Sequence, residues 1–183
     1  MMNATLSRSS PLVVVDMQKG FLNSKSEHIL PAVTTLMDAW WNRSWPIFLT
    51  QFYNLPGSKW ETLIGWQRLR HSPETDLHEA IKKYSEYATI VRKENLYTSI
   101  TGDLQEAIKK EDWQEVVLCG VATESCVLAT AVDLFELAKG GIRPIVVRDA
   151  CASHAGASVH EAGILVLERF IGRDQVVLTD ELL

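Results

Sequence analysis

Short apolar runs alternate with segments of helical periodicity along nearly the whole chain, and no other feature restricts the fold as much. The runs are "PLVVVDM", "WPIFLTQ", "ATIVRK", "QEVVLCG", "IRPIVVRD" and "QVVLTD". The first is continuous in Val and Leu, as in a strand covered on both faces. Between the runs, "SEHILPAVTTLMDAWWNRS" carries apolar residues at helical spacing, with Pro31 tolerable only near the first turn. "SPETDLHEAIKKY" offers Ser72 or Thr75 as an N-cap ahead of acidic residues. "TGDLQEAIKKE" predicts a short helix, and "GASVHEAGILVLERFI" a longer one. Another helix is expected from about Thr123 to Lys139, ended by Gly140 and Gly141.

Apolar strands joined by crossover helices require a mostly parallel sheet with helices on both faces. The expected fold is a doubly wound, three-layer α/β/α sandwich, its six strands in the order 3-2-1-4-5-6. No repeat or linker divides the sequence, so residues 1–183 read as one domain.

The net charge of −5 and the lack of a Lys/Arg run argue against a nucleic-acid or anionic-lipid partner. The start, "MMNATLSRSSPLVVVDMQ", has too short an apolar run for a signal-peptide core, and no segment reaches membrane-spanning length. Three cysteines without a CxxC pair support neither a disulfide framework nor a Cys-based zinc site. These features lead us to expect a cytoplasmic protein with reduced thiols.

Doubly wound sheets bind ligands beyond the carboxyl ends of their strands, where the strand order reverses. Asp16 ends the first strand, Lys93 the third, and Cys126 follows the fourth. The first and fourth strands would be neighbours at the reversal, so Asp16 and Cys126 would share one crevice. The third strand lies about 10 Å from the first, a gap a lysine can largely cover. Each residue also has an ordinary reading: a turn aspartate, a solvated lysine, a packed thiol. Cys119 and Cys151 are left with the packed reading, Cys119 within a strand and Cys151 in a loop.

Three stretches, "VVVDMQKGFLN", "VRKENLYTSI" and "LCGVATESCVLATAVDLFELA", resemble the signature blocks of the isochorismatase-like cysteine hydrolases. That family includes nicotinamidases, N-carbamoylsarcosine amidohydrolases and ureidoacrylate-type amidohydrolases. The resemblance implies the same parallel sandwich, a triad of Asp16, Lys93 and Cys126, and a homo-oligomer, dimer or tetramer. It also implies a non-proline cis peptide between Val121 and Ala122, and an oxyanion hole of the Ala122 and Cys126 backbone N–H groups. A free thiol titrates near about 8.5. The helix start and Lys93 are expected to lower that value for Cys126.

The resemblance is incomplete after the second strand. Nicotinamidases of this family hold a metal there through an Asp-x-His pair, but "LTQFYNLPGS" has Phe52, Tyr53 and Asn54. Phe52 cannot ligate and Asn54 is a poor ligand for a transition metal. His28, His71, His78, His154 and His160 read as helix, loop or surface residues. The expectation is therefore no metal and no cofactor. Phe21, Trp60 and Tyr97 follow the first three strands and could wall a small-molecule pocket. Trp40, Trp41 and Trp45 read as core or subunit contact, and Asp149 as the cap of a loop through "DACASH".

The expected function is metal-independent hydrolysis of a C–N bond in a small amide or ureido compound, through a thioester. The alternatives are an isochorismatase-type ether hydrolase, whose relatives lack the cysteine, and a non-catalytic binding protein on the same fold.

Overall fold

The structure is a computed structural model, and it describes residues 9–137 and 142–183. Six strands form one sheet: β1 Leu12–Val15, β2 Ile47–Phe52, β3 Thr89–Lys93, β4 Glu115–Val121, β5 Arg143–Ala152 and β6 Val176–Val177. Their order is β3-β2-β1-β4-β5-β6, and every neighbouring pair is parallel. The helices are α1 Leu30–Asn42, α2 Lys59–Ile64, α3 Glu79–Lys82, α4 Gly102–Glu111, α5 Leu128–Glu136, α6 Ala157–Ile171 and α7 Thr179–Leu182. Every residue of β1 and of β4 is buried, as their unbroken apolar sequences require. None of the described helices is long and apolar enough to cross a membrane.

The centre of the sheet fixes the site. Val15 of β1 pairs with Gly120 of β4. A Cβ at Gly120 would lie 2.2 Å from the Val15 carbonyl oxygen, and its φ is +114°. Only glycine meets both conditions, so the two strands can close tightly just before Asp16. Asp16 then turns the chain out of the sheet at φ +50°, a left-handed geometry that Asp tolerates better than most residues.

Pro31 sits in the first turn of α1, as its missing N–H requires. The segment after Ser72 differs from expectation. Ser72–Pro73 is a cis peptide in a turn, and only Glu79–Lys82 becomes helical. The Thr75 carbonyl is held by the side-chain amides of Gln18 at 2.9 Å and Gln51 at 2.7 Å, which pulls it away from a helical path. His78, not Ser72 or Thr75, caps the helix, its Nδ1 accepting from the Ala80 N–H.

Further along, Thr123–Val127 is a π-helical turn, and α5 begins only at Leu128. The expected end of that helix at Lys139, Gly140 and Gly141 lies outside the described residues. β5 runs on to Ala152, so Cys151 is a buried strand residue and Asp149 lies within the strand. Asp149 caps the start of α7 instead of the "DACASH" loop, its Oδ1 accepting from the Thr179 N–H and hydroxyl. Trp40 is core, with its indole N–H on the Ser10 carbonyl and Trp45 edge-on against it. Trp41 is half exposed, stacked on Tyr87 and edge-on to Tyr84.

Candidate active site

At the carboxyl ends of β1, β3 and β4, three chemically active side chains meet. The Lys93 ammonium lies 2.6 Å from Asp16 Oδ2, and both side chains are fully buried. Lys93 reaches across β2, helped by acceptors at its tip: the Leu96 carbonyl at 2.9 Å and Ser99 Oγ at 3.4 Å. Thr50, in β2 between them, holds Asp16 twice. Its hydroxyl donates to Asp16 Oδ1 at 2.6 Å and accepts from the Asp16 N–H at 2.9 Å. Hydrogen bonds to a charged acceptor are among the stronger ones.

Cys126 faces the same corner. Its thiol lies 3.2 Å from the Leu96 carbonyl, which Lys93 also uses. Thr130, one turn later, donates to the Cys126 carbonyl at 2.7 Å and accepts from the Ser99 N–H at 3.0 Å. That hydroxyl ties the nucleophile's turn to the loop that holds Lys93. The peptide bond between Val121 and Ala122 is cis.

The electrostatics differ from the sequence expectation. Burial, then the Asp16 carboxylate, push the Cys126 thiol up to about 12, and Lys93 offsets only part of this. The thiol is 3% exposed, and desolvation disfavours an anion more than one cation restores it, because that cation is already paired with Asp16. The resting site thus holds a protonated thiol beside an ion pair. Iodoacetamide, which reacts with thiolate, is expected to label Cys126 slowly at neutral pH and faster as pH rises. Asp16→Asn removes a charge that raises the thiol and should shift the pH dependence of labelling toward lower pH. Lys93→Ala removes one that lowers it and should shift that dependence toward higher pH. Peptide mass spectrometry reads both, and shifts of the same sign would refute this assignment.

Above the three residues lies a cavity of about 550 Å³, into which Cys126 opens. Of the three aromatic residues singled out in the loops, Phe21 and Tyr97 line this cavity and Trp60 does not. Trp60 is buried behind Tyr97, packed edge-on with ring centroids 5.0 Å apart, so Tyr97 takes the wall position. Trp66 and His154 complete the wall, each stacked on Phe21. Both sit in irregular chain, where no periodicity marks them. Thr50 did carry a signal: it is a lone hydroxyl in an otherwise apolar run that precedes Gln51.

Where a metal pair would stand after β2, Phe52 is buried in the core and Asn54 organises the loop. The Asn54 amide donates to the Trp66 and Arg68 carbonyls, and its oxygen accepts from the Ser58 hydroxyl. Among the described residues no group of three His, Cys, Asp or Glu side chains lies close enough to hold a metal ion.

Fold and site together define a doubly wound α/β protein with a thiol, carboxylate and ammonium cluster beneath a cavity at its strand reversal. The profile of the isochorismatase domain matches residues 10–176, and the chain belongs to that family. A curated relative, isochorismatase domain-containing protein 2 of Xenopus laevis, is 26% identical over 151 residues. That match covers 81% of this chain and 62% of the relative, so the chain spans under two thirds of that protein's length. Among solved structures, the nicotinamidase of Bacillus subtilis superposes with a TM-score of 0.79 at 20% identity, covering 92% of this chain and 99% of that one. The N-carbamoylsarcosine amidase of Thermoplasma acidophilum gives 0.79 at 21% identity, covering 93% and 97%. An isochorismatase family protein of Burkholderia thailandensis gives 0.82 at 21%, covering 97% and 95%. At these identities the likeness establishes the shared fold.

Proposed function

We propose that this chain is a cysteine hydrolase that cleaves the C–N bond of a small amide or ureido compound through a thioester on Cys126. One observation carries the reading. A buried thiol opens into a cavity while a carboxylate and an ammonium, 2.6 Å apart, stand beneath it. A core thiol needs no such company, and a fully buried Asp–Lys pair is costly unless it serves a purpose.

The chemistry follows from the charges. Asp16 accepts the thiol proton as Sγ attacks the substrate carbonyl carbon, so the raised thiol need not ionise beforehand. The carbonyl π pair moves to oxygen, and the backbone N–H groups of Ala122 and Cys126 receive that charge. One such donor is worth about 3 kcal/mol. Asp16 returns the proton to the leaving nitrogen, the C–N bond breaks, and ammonia or an amine departs. Water, deprotonated by Asp16, then attacks the thioester and releases the acid and the thiol. Lys93, 2.6 Å from Asp16 Oδ2, holds that carboxylate in place beside the thiol. No step requires a metal or an organic cofactor. The named structural neighbours that are nicotinamidase and N-carbamoylsarcosine amidase agree in reaction type. The family resemblance favours a homo-oligomer and, with the reduced thiols, a cytoplasmic setting.

The test is a panel of small primary amides and ureido compounds, scored for release of ammonia or amine. Intact-protein mass spectrometry on quenched reactions should find an acyl adduct on Cys126. Turnover without an adduct would refute the thioester route. Cleavage of a vinyl ether, with every amide refused, would refute the reaction type.

A further inference from the structure

The turn that carries Cys126 is supported from behind by α6, at two residues on one helix face. Gly163 is the first. A Cβ there would lie 2.9 Å from both the Cα and the N of Glu124, so α6 rests directly on the turn's backbone. His160 is the second, three residues earlier and therefore on the same face. Its Nδ1 is 2.8 Å from Thr123 Oγ1. Thr123 is the first residue of the π-helical turn and is 0% exposed. Among the described residues its hydroxyl has no other partner. Ala122, one residue before it, anchors the same turn by accepting from the Ser125 and Val127 N–H groups, each at 3.1 Å.

We propose that neutral His160 is a positioning residue, which locks the Ala122–Cys126 turn in its reactive geometry by accepting the hydroxyl proton of Thr123. It touches no substrate and acts only through Thr123. The inference deepens the cysteine-hydrolase reading and relies on it for its kinetic arm.

The chemistry of the bond makes it sensitive to pH. A neutral imidazole can accept at Nδ1, whereas an imidazolium has a proton there and can only donate. Protonation would leave the buried Thr123 hydroxyl hydrogen without an acceptor, a costly arrangement in the interior. The groups that face His160 are Glu124 from the turn, Glu161 from its own helix, Arg148 from β5, and His28 from the short 3-10 turn Glu27–Ile29. Glu124 and Glu161 favour the charged ring, while Arg148 and His28 oppose it. Burial outweighs them all and holds His160 below its ordinary value. The side chain is 14% exposed, which agrees. The sign follows. The ring is neutral and the turn locked at neutral pH, and the lock opens only in acid, at a pH lower than the ordinary histidine value.

Two variants separate position from bulk. His160→Leu keeps volume and removes the acceptor. His160→Asn keeps an acceptor oxygen as many bonds from Cβ as Nδ1 and cannot take up a proton. At pH 7.5, His160→Leu should slow iodoacetamide labelling of Cys126 and lower kcat on the amide found by the panel, each about tenfold or more, with KM little changed. His160→Asn should recover most of both. The wild-type kcat profile should show an acid step whose midpoint matches the ring-proton titration of His160 by NMR, and His160→Asn should lack that step. Leucine behaving as wild type, or the step persisting in asparagine, would overturn the proposal. The outcomes also separate the two readings. If no amide is turned over but labelling follows the stated order of variants, hydrolysis fails and the positioning role stands. If amides are turned over equally by all three proteins, hydrolysis stands and the positioning role fails.

Discussion

Cys126→Ala is expected to abolish turnover, lowering kcat by about ten-thousand-fold or more, while the protein stays folded. Residues that act as a catalytic unit lose nearly everything when the nucleophile goes, because the remaining groups have nothing to activate. Folding should suffer little. The substitution deletes one heavy atom from a site beside an existing cavity, worth about 1 kcal/mol at most. Amine release and a urea melt on the same preparation check both halves. A variant that keeps its activity would move the chemistry away from the thiol, toward ether hydrolysis in which Cys126 is incidental. A variant that unfolds would mean the thiol is chiefly a packing element.

Lys93→Met is expected to destabilise the fold by about 3–5 kcal/mol, the usual result of removing one partner from a buried pair. Asp16 has zero side-chain exposure, so no water replaces the lost cation. Thr50 still donates to Oδ1, but a single hydroxyl does not compensate a full buried charge. Asp16→Asn with Lys93→Met should recover much of the loss, because a neutral amide beside a thioether strands no charge. Urea melts of the wild type, the single and the double variant measure this directly. A single-variant loss below about 1 kcal/mol would show that the carboxylate finds compensation after all, and would weaken its role as a poised base. A double variant no better than the single would point to lost packing rather than to stranded charge.

The corner formed by Asp16, Lys93 and Cys126 is legible in the sequence for a simple reason. Each residue closes or follows an apolar run, and parallel crossover topology brings strand ends to one edge of the sheet. Pairing of β1 with β4, and of β2 with β1 and β3, follows from the same pattern. What the pattern does not carry is the reach of individual side chains. Trp60 and Tyr97 follow neighbouring strands, yet Tyr97 takes the wall and Trp60 the space behind it. Trp66 and His154 come from irregular chain, where residue spacing encodes no direction. The helix expected after Ser72 is cut short by Gln18 and Gln51, two amides distant in sequence that claim the Thr75 carbonyl.

The state of the thiol shows where sequence reasoning stops. A helix start and a lysine both point toward a lowered value, and both are readable from residue order. Burial and the Asp16 charge reverse the sign, and neither is visible until the chain has closed around the site. His160 is similar: along the sequence it is an ordinary helical histidine, and only the packing of α6 on the turn gives it Thr123 as a partner. The sequence by itself determined the parallel sandwich, its strand order and the three side chains that converge, because periodicity and topology are local properties repeated along a chain. The tertiary structure alone decided which groups are dry, which charges face one another and which rings enclose the cavity, because desolvation and Coulomb interaction depend on distances through space.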